Sequence, residues 1–379
     1  MKNNHRYHTN RKYKILLAIG SSEIGGAQNI FLSCAGEFVK LGHVVEVALP
    51  EGPLSDQAKL LGIPIHTINF TSILSVLRIK RMLQKGNYDI INTYLTKCGL
   101  LVSFVNFLYK NPICCTLLNA ITHEKLIRIQ KLIYPLMYHL FQMFCDGIIV
   151  NSNANKQHFV DTAKIKESHI QVIYSGIDEK RFKNNTQSLN LAKKIVIGIV
   201  GRLSMEKGPV YLINALEFLK DIDYECMIVG DGPLRNDLEK RVDELGLNKR
   251  VKFFGFQKEV AQFIKKMDVV VVPSLNETFG LTIVEAFLMK KVVIASNVGG
   301  IPELVIHRKT GLLFPAKDSV SIANSIQIIY ENRNLAKRLT ESAYRHAISN
   351  FTIPVMVNNT LNYYAVLLER QEKIITEAK

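Results

Sequence analysis

DVVVVPSLNETFGLTIVEAFLMK, residues 268–290, is the stretch of sequence that decides the fold. Its valines form a short β-branched run that ends at Pro273, which predicts a buried parallel strand. Residues 274–280 are mostly polar and end in glycine, which predicts a loop. From Leu281 the apolar residues recur at helical spacing. A strand, a loop and a helix in this order predict one unit of a parallel α/β sheet.

Two glutamates lie eight positions apart in this unit. Glu277 falls on the predicted loop, and Glu285 falls in the second turn of the predicted helix. Ligands bind at the carboxyl ends of the strands in open α/β sheets, and the backbone N–H groups of 279–282 would form a helix N-terminus suited to a phosphate. From the residues alone, exposed glutamates beside an ordinary turn and a carboxylate pair for acid–base chemistry both stay open.

The same alternation of strand-like and helix-like segments runs along the chain. It predicts strands within 13–20, 43–50, 63–70, 88–95, 112–119, 145–152, 170–178, 195–201, 226–230, 251–255, 268–272 and 292–296. Strict alternation predicts an α/β protein with doubly wound parallel sheets. The polar stretch 183–194 predicts a linker between two such domains. The predicted divisions are 1–185, 186–355 and a C-terminal helix, 356–379.

The composition predicts a globular protein, because 47% of the residues are hydrophobic and 21% are charged. The net charge of +15 is unusual, and most of the excess lies in residues 1–190. A basic surface can meet nucleic acid, anionic lipid or a phosphorylated substrate. The chain has no recognisable nucleic-acid-binding module and no tryptophan, so charge alone would support that partner, and we predict no nucleic acid.

The sequence also predicts a cytoplasmic protein. No apolar run approaches the ~18 residues of a transmembrane helix, and the apolar run at 15–19 is too short for a signal peptide. The six cysteines lack CxxC spacing and lie mostly in apolar contexts, which predicts reduced thiols in the core.

Several glycine turns follow predicted strands and could handle phosphate. GRLSMEKG, residues 201–208, places Arg202 and Lys207 close together, and these two cations suit a pyrophosphate. GDGPLR at 230–235, GGIPELV at 299–305 and GGAQ at 25–28 also follow strands. Each turn by itself is equally compatible with an exposed basic loop or a plain tight turn. Together they predict one site for an anionic ligand that carries hydroxyl groups.

The order GGAQ, GRLSMEKG, VGDGPLR, ETFGLTIVEA and GGIPELV resembles the retaining glycosyltransferases of the GT-B fold, family 4. The resemblance spans nearly the whole chain and is strongest over 195–315. It implies two Rossmann-like domains that face each other across a cleft, with the C-terminal helix packing back toward the first domain. Residues 1–185 would then bind the acceptor and 186–355 the nucleotide-sugar donor.

The resemblance also implies residue roles. Glu285 would hydrogen-bond the donor ribose, Glu277 would lie near the donor sugar, and Arg202 and Lys207 would neutralise the diphosphate during catalysis. The implied cosubstrate is a UDP- or GDP-linked sugar, with no cofactor and no metal. The implied donor-binding residues are Gly25, Gly26, Gly201, Arg202, Lys207, Gly230, Gly232, Phe256, Glu277, Thr278, Phe279, Gly280, Leu281 and Glu285.

The sequence departs from the family on the acceptor side. Many relatives carry a histidine or an Arg-Asn pair after the strand matched by 112–119, where this chain has Leu118 and Asn119. We predict Asn119 and His123 as acceptor residues, with His123 also a catalytic candidate. His123 is alternatively a polar residue at a helix entry. Ser175 stands where relatives usually carry asparagine.

The implied function is transfer of a sugar to a glycan or lipid-linked acceptor with retention, in cell-surface polysaccharide or lipopolysaccharide synthesis. The alternatives are a GT-B-fold sugar-nucleotide epimerase and an inactive sugar-nucleotide-binding scaffold. Segment 123–144 has basic residues on an apolar, helix-like run. It predicts either peripheral contact with the anionic inner face of the cytoplasmic membrane or a core-packing helix with a basic edge.

Overall fold

The chain forms two compact units, each built on one parallel sheet. The computed structural model describes residues 11–23, 25–72, 74–118, 139–183 and 194–377. One unit comprises Met1–Gly176 with Ile353–Lys379, and the other comprises Ile177–Thr352. We call these unit 1 and unit 2. The functional limits at residues 185 and 355 stay a prediction.

The sheet of unit 1 has the order β3-β2-β1-β4-β5-β6-β7, and every neighbouring pair is parallel. Its strands are β1 (Lys14–Ile19), β2 (Val44–Leu49), β3 (Ile65–Thr67), β4 (Ile90–Tyr94), β5 (Ile113–Leu117), β6 (Gly147–Val150) and β7 (Ile170–Val172). Its helices are α1 (Gly26–Lys40), α2 (Pro53–Leu60), α3 (Ser75–Gly86), α4 (Thr96–Asn106) and α5 (Asn153–Ala163). Residues 139–144 are also helical.

The sheet of unit 2 has the order β10-β9-β8-β11-β12-β13 and is also parallel. Its strands are β8 (Ile195–Val200), β9 (Tyr224–Val229), β10 (Val251–Gly255), β11 (Val269–Val272), β12 (Val292–Ser296) and β13 (Leu312–Phe314). Its helices are α6 (Lys180–Lys183), α7 (Pro209–Leu216), α8 (Arg235–Glu244), α9 (Ala261–Ile264), α10 (Leu281–Leu288), α11 (Ile301–Leu304), α12 (Ser319–Glu331) and α13 (Arg333–Asn350).

The apolar strand runs are buried because helices cover the sheets. All residues of β11 are buried, as expected for a strand in the middle of a parallel sheet. These sheets confirm the predicted pair of doubly wound Rossmann-like units. The six cysteines are free and buried, which confirms that they are core thiols, and burial raises the pKa of Cys34 to about 12.

The last helix, α14 (Ile353–Glu377), belongs to unit 1 and packs against α1. Its Tyr364 is fully buried and accepts a hydrogen bond of 2.8 Å from the side-chain amide of Asn92 on β4. The ring of Tyr364 also lies 5.9 Å from that of Phe38 on α1. The predicted packing of the C-terminal helix on the first unit is therefore confirmed.

The anchoring of α14 can be tested with two adjacent tyrosines. Tyr364→Phe leaves the buried amide of Asn92 without its acceptor, so we expect a loss of about 1–3 kcal/mol in the free energy of unfolding. Tyr363 is the matched control, because its buried hydroxyl has no hydrogen-bond partner among the described residues. Tyr363→Phe should lose nothing in urea unfolding. Equal losses in both variants would show that the Asn92 bond does not anchor the helix.

Candidate functional site

Unit 2 has a topological switch point between β8 and β11. The chain continues from β8 to β9 and β10 on one side, and from β11 to β12 and β13 on the other. Helices on opposite faces leave a crevice at the carboxyl ends of two such strands, and ligands bind there. The predicted residues Gly201, Arg202 and Lys207 follow β8, and the segment 277–281 follows β11.

Neighbouring loops at this edge are in close backbone contact. A Cβ atom on Gly230, after β9, would collide with the carbonyl oxygen of Gly201, and one on Gly299, after β12, would collide with that of Glu277. The amide of Gly300 donates a hydrogen bond of 2.9 Å to the same Glu277 carbonyl. The glycines therefore let four loops meet. The predicted Gly232 lies in this layer too, against the backbone of Leu203.

Lys207 and Glu277 form an ion pair across the switch point. Lys207 ends the short 3-10 turn Met205–Lys207, and its Nζ donates a hydrogen bond to Oε2 of Glu277. The side chains are 34% and 13% exposed, so the pair is only partly screened by water. The sequence predicted both residues at one site but gave no sign that they bind each other. A ligand phosphate near Lys207 must share it with this carboxylate.

Glu285 lies in the second turn of α10, as predicted, in a different environment from Glu277. Its side chain is partly buried and has no hydrogen bond or ion pair to any residue that the structure describes. Burial raises the pKa of Glu285 to about 7, and the positive charge of Arg181 on α6 opposes this rise. Sequence reasoning missed Arg181, because no motif links it to a residue so far along the chain.

The remaining predicted donor residues occupy the same edge of the sheet. Arg202 is exposed, and its guanidinium has no partner among the described residues. Thr278 lies in the loop after β11, and Gly280 (φ 101°) caps α10, which begins at Leu281. Phe279 is buried and packs edge-on against Phe351.

Phe256 lies further along the same edge of unit 2. It directly follows β10, two strands away from β8, and its side chain is 78% exposed. An aromatic ring that is exposed at the carboxyl ends of the strands is available to a planar ligand group.

Unit 1 has its own switch point, between β1 and β4. Gly25 and Gly26 lie after β1, where Gly25 caps α1 in an extended conformation without a side-chain hydrogen bond. The predicted acceptor residues Asn119 and His123 lie outside the described residues, as do 123–138 of the predicted basic segment.

The described residues contain neither a cluster of metal ligands nor a membrane-spanning helix. Within 11–377, apart from the gaps given above, no group of three or more His, Cys, Asp or Glu side chains is arranged to hold a metal ion. In the same part of the chain, no helix is both long and apolar enough to cross a membrane.

Two family models match the chain, and together they cover most of it. "Glycosyltransferase Family 4" matches residues 24–181, and "Glycosyl transferases group 1" matches residues 180–346. The chain belongs to the glycosyltransferases of the group 1/family 4 type. The matches contain the four loops that meet at the switch point of unit 2 and the glycine turn of unit 1.

Individual relatives agree with this assignment. The glycosyltransferase is 26% identical over 329 residues to the UDP-Gal:alpha-D-GlcNAc-diphosphoundecaprenol alpha-1,3-galactosyltransferase of Escherichia coli, which covers 82% of this chain and 84% of the relative. It is 28% identical to an uncharacterized glycosyltransferase of Methanocaldococcus jannaschii over 63% of this chain, and it spans only 64% of that relative's length.

A solved structure shows the same fold. The crystal structure of Anabaena HepE in complex with UDP has a TM-score of 0.81 and 26% identity, over 93% of this chain and 99% of HepE. The predicted GT-B fold is therefore confirmed.

The glycine contact at Glu277 can be tested by comparison with a glycine of similar conformation. Gly299→Ala introduces both a left-handed alanine (φ 52°) and a clash with the Glu277 carbonyl. Gly246 (φ 67°) has no atom near the position of its Cβ, so Gly246→Ala introduces the strain alone, about 1–2 kcal/mol. We expect Gly299→Ala to lose clearly more stability in urea unfolding. Equal losses would mean that the loops adjust without cost.

The raised pKa of Glu285 predicts a pH-dependent stability. The folded value, about 7, lies above the ordinary value of 4.5, so the contribution of the protonated group to stability is fully present below pH 4.5 and is lost as pH rises through 7. Glutamine stays neutral. The difference in melting temperature between Glu285→Gln and the wild type should therefore shift in favour of the variant as pH rises from 4.5 to 7, and it should stay constant above that. Glu244→Gln, on the exposed end of α8, is the control. A difference that does not vary with pH would contradict the prediction.

Proposed function

We propose that this glycosyltransferase moves a sugar from a UDP- or GDP-linked donor to a glycan or lipid-linked acceptor, with retention of anomeric configuration and without a metal. The observation that carries the proposal is the arrangement at the β8/β11 switch point of unit 2. Arg202 and Glu285, both without a partner among the described residues, and the Lys207–Glu277 pair follow adjacent strands there. Cations suit the diphosphate of a nucleotide sugar, and a carboxylate suits its hydroxyl groups.

Arg202 and Lys207 would bind the donor diphosphate. The free guanidinium of Arg202 can hold two phosphate oxygens at once, whereas Lys207 supplies a compact charge. Negative charge collects on the diphosphate when the bond to the sugar breaks, so cations fixed beside it lower the barrier. Backbone amides of Phe279, Gly280 and Leu281, at the start of α10, would add donors to the phosphates.

Glu285 would accept hydrogen bonds from the ribose hydroxyls. A partly buried carboxylate without a partner is costly, and two hydroxyl donors would relieve that cost on binding. Glu277 lies in the loop just before α10, and Lys207 holds the carboxylate of Glu277 in place. This carboxylate would orient the donor sugar. The exposed ring of Phe256 would contact the base.

The comparisons support a UDP-linked donor and a lipid-linked acceptor. HepE, which is similar over nearly the whole chain, was solved with UDP, and the Escherichia coli relative uses UDP-Gal and a diphosphoundecaprenol-linked sugar. We propose a role in cell-surface polysaccharide or lipopolysaccharide synthesis on this basis. None of these relatives favours the epimerase.

A lipid-linked acceptor would require contact with the cytoplasmic membrane, and we propose a peripheral contact through unit 1. Phe104 and Phe107, on and just after α4, are each 62% exposed and contact Phe144 edge-on. Exposed aromatic rings of this kind favour the membrane interface. Cosedimentation with phosphatidylglycerol vesicles tests the contact, and a protein that stays in the supernatant at low salt would exclude it.

A thermal-shift screen against UDP-, GDP- and ADP-sugars tests the donor site. A donor at 100 times its Kd adds about 2.7 kcal/mol of stability, which is readily measured as a rise in melting temperature. Glu285→Gln should keep its fold but lose most of this rise, whereas Glu244→Gln should keep it. No rise with any nucleotide sugar, or an unaffected Glu285→Gln, would contradict the proposed site.

Turnover then separates transfer from epimerisation. Arg202→Ala should lower kcat by about 100-fold if the cation stabilises the leaving diphosphate. The wild type should release free nucleoside diphosphate only when an acceptor is present. Interconversion of donor sugars without an acceptor would contradict transfer.

A further inference from the structure

Unit 1 contains a basic pocket that plays no part in the proposed function. Its volume is about 520 Å³, and it lies between α3 and the strands β1, β2 and β3. Lys14 is the first residue of β1, and Tyr88 lies two residues before β4. The pocket is therefore near the amino ends of these strands, at the opposite end of the sheet from Gly25. It is lined by Lys14, Glu46, Ile65, His66, Arg78 and Arg81, among others.

The floor of the pocket is formed by the carboxylate of Glu46 and the three side chains that bind it. Its carboxylate binds Lys14 at 2.9 Å, His66 at 2.7 Å and the hydroxyl of Tyr88 at 2.6 Å. These partners hold the pKa of Glu46 at about 2, although burial acts in the opposite direction. Glu46 is only 17% exposed and stays ionised, with its charge offset by Lys14. Its repulsion of an incoming anion is therefore weak.

The backbone is shaped to bring Tyr88 into this floor. A Cβ atom on Gly86, the last residue of α3, would collide with the ring of Tyr88. The chain reverses at Asn87, which adopts a left-handed conformation (φ 44°). Lys14 lies over the same ring, 5.2 Å from its centroid. The floor is thus fixed by packing as well as by hydrogen bonds.

Three cations on α3 face this floor. Arg78, Arg81 and Lys85 follow at intervals of three and four, which places them on one face of the helix, and all three line the pocket. They are exposed, and none has a hydrogen bond or ion pair to any residue that the structure describes. The pocket therefore brings together four cations and one carboxylate. Unpaired guanidinium groups at this spacing match the oxygens of a phosphate.

We propose that this pocket binds an anion that carries one or more phosphate groups. Arg78, Arg81 and Lys85 bind the phosphate oxygens, and the apolar side chains of Ile65 and Met82 line the wall beside the charged face. The excess of positive charge suits a ligand with two or three negative charges. A soluble phosphorylated metabolite and a lipid headgroup share this chemistry.

Pyrophosphate binding to the full-length protein, measured by calorimetry, tests the proposal. Arg78→Ala with Arg81→Ala should weaken binding by about a hundredfold, because each charge-assisted contact contributes about tenfold. Lys80→Ala is the matched control, since Lys80 is exposed on the same helix but does not line the pocket. It should change the affinity by less than about twofold. The melting temperatures of the variants check that the fold is kept.

An Arg202→Ala background separates this pocket from the proposed donor site, because pyrophosphate is expected to bind there as well. Binding that persists in Arg202→Ala and is lost with Arg78 and Arg81 supports the pocket, whatever the fate of the donor site. Binding that depends on Arg202 alone contradicts the proposal. An affinity that falls as much in Lys80→Ala as in the Arg78 and Arg81 double variant contradicts it too. Vesicles that contain phosphatidic acid, whose headgroup is a phosphomonoester, then identify the source. Cosedimentation that needs Arg78 and Arg81 indicates a lipid headgroup, and its independence of them indicates a soluble ligand.

Discussion

The close approach of the loops at the carboxyl edge of unit 2 is the constraint on which the candidate site depends. Parallel strands end at one edge, so the loops that leave β8, β11 and β12 compete for the same space. Gly208 lies against the carbonyl of Pro273, and Gly299 lies against that of Glu277. A side chain at either position would push two loops apart. The meeting of Lys207 with Glu277 follows from these two contacts.

The two glutamates of the ETFGLTIVEA segment are not equivalent, although they belong to one motif. Glu277 is held by Lys207 and by its backbone, so its charge is already balanced before any ligand binds. Glu285 has no such partner in the described part of the chain, and its raised pKa reflects the cost of leaving a charge partly buried. Glu277 therefore has a carboxylate fixed in position, and Glu285 has a carboxylate available to accept hydrogen bonds from a ligand. An acid–base pair would require two groups that exchange protons with one substrate, and this arrangement does not resemble one.

Local pattern was sufficient to predict most of the fold, because a buried parallel strand and an amphipathic helix each leave a clear signal in consecutive residues. The valine run of β11 and the helical spacing of α10 are examples. β13 was missed because its three apolar residues lie between Gly311 and Pro315, which are typical of a turn. The predicted strand at 170–178 extends only over Ile170–Val172, and the amide of Ile173 makes a last hydrogen bond of 2.8 Å to the carbonyl of Val150 on β6.

The position of the site could be predicted, but the contacts between its side chains could not. Every glycine turn that follows a parallel strand must reach the same edge, so Arg202, Glu277 and Glu285 were placed together from sequence order alone. The bond between Lys207 and Glu277 joins residues 70 positions apart, and the influence of Arg181 on Glu285 spans a longer stretch still. Such contacts depend on side-chain geometry, which neither composition nor spacing reports.

The hydrogen bond between Asn92 and Tyr364 has a consequence for synthesis on the ribosome. The two residues are 272 positions apart, and all of unit 2 is translated between them. At about 5–20 residues per second, the sheet of unit 1 waits on the order of tens of seconds for the helix that covers it. During that time the amide of Asn92 and the face of α1 beneath α14 stay accessible to water and to chaperones. The second half of the chain can therefore finish folding before the first half.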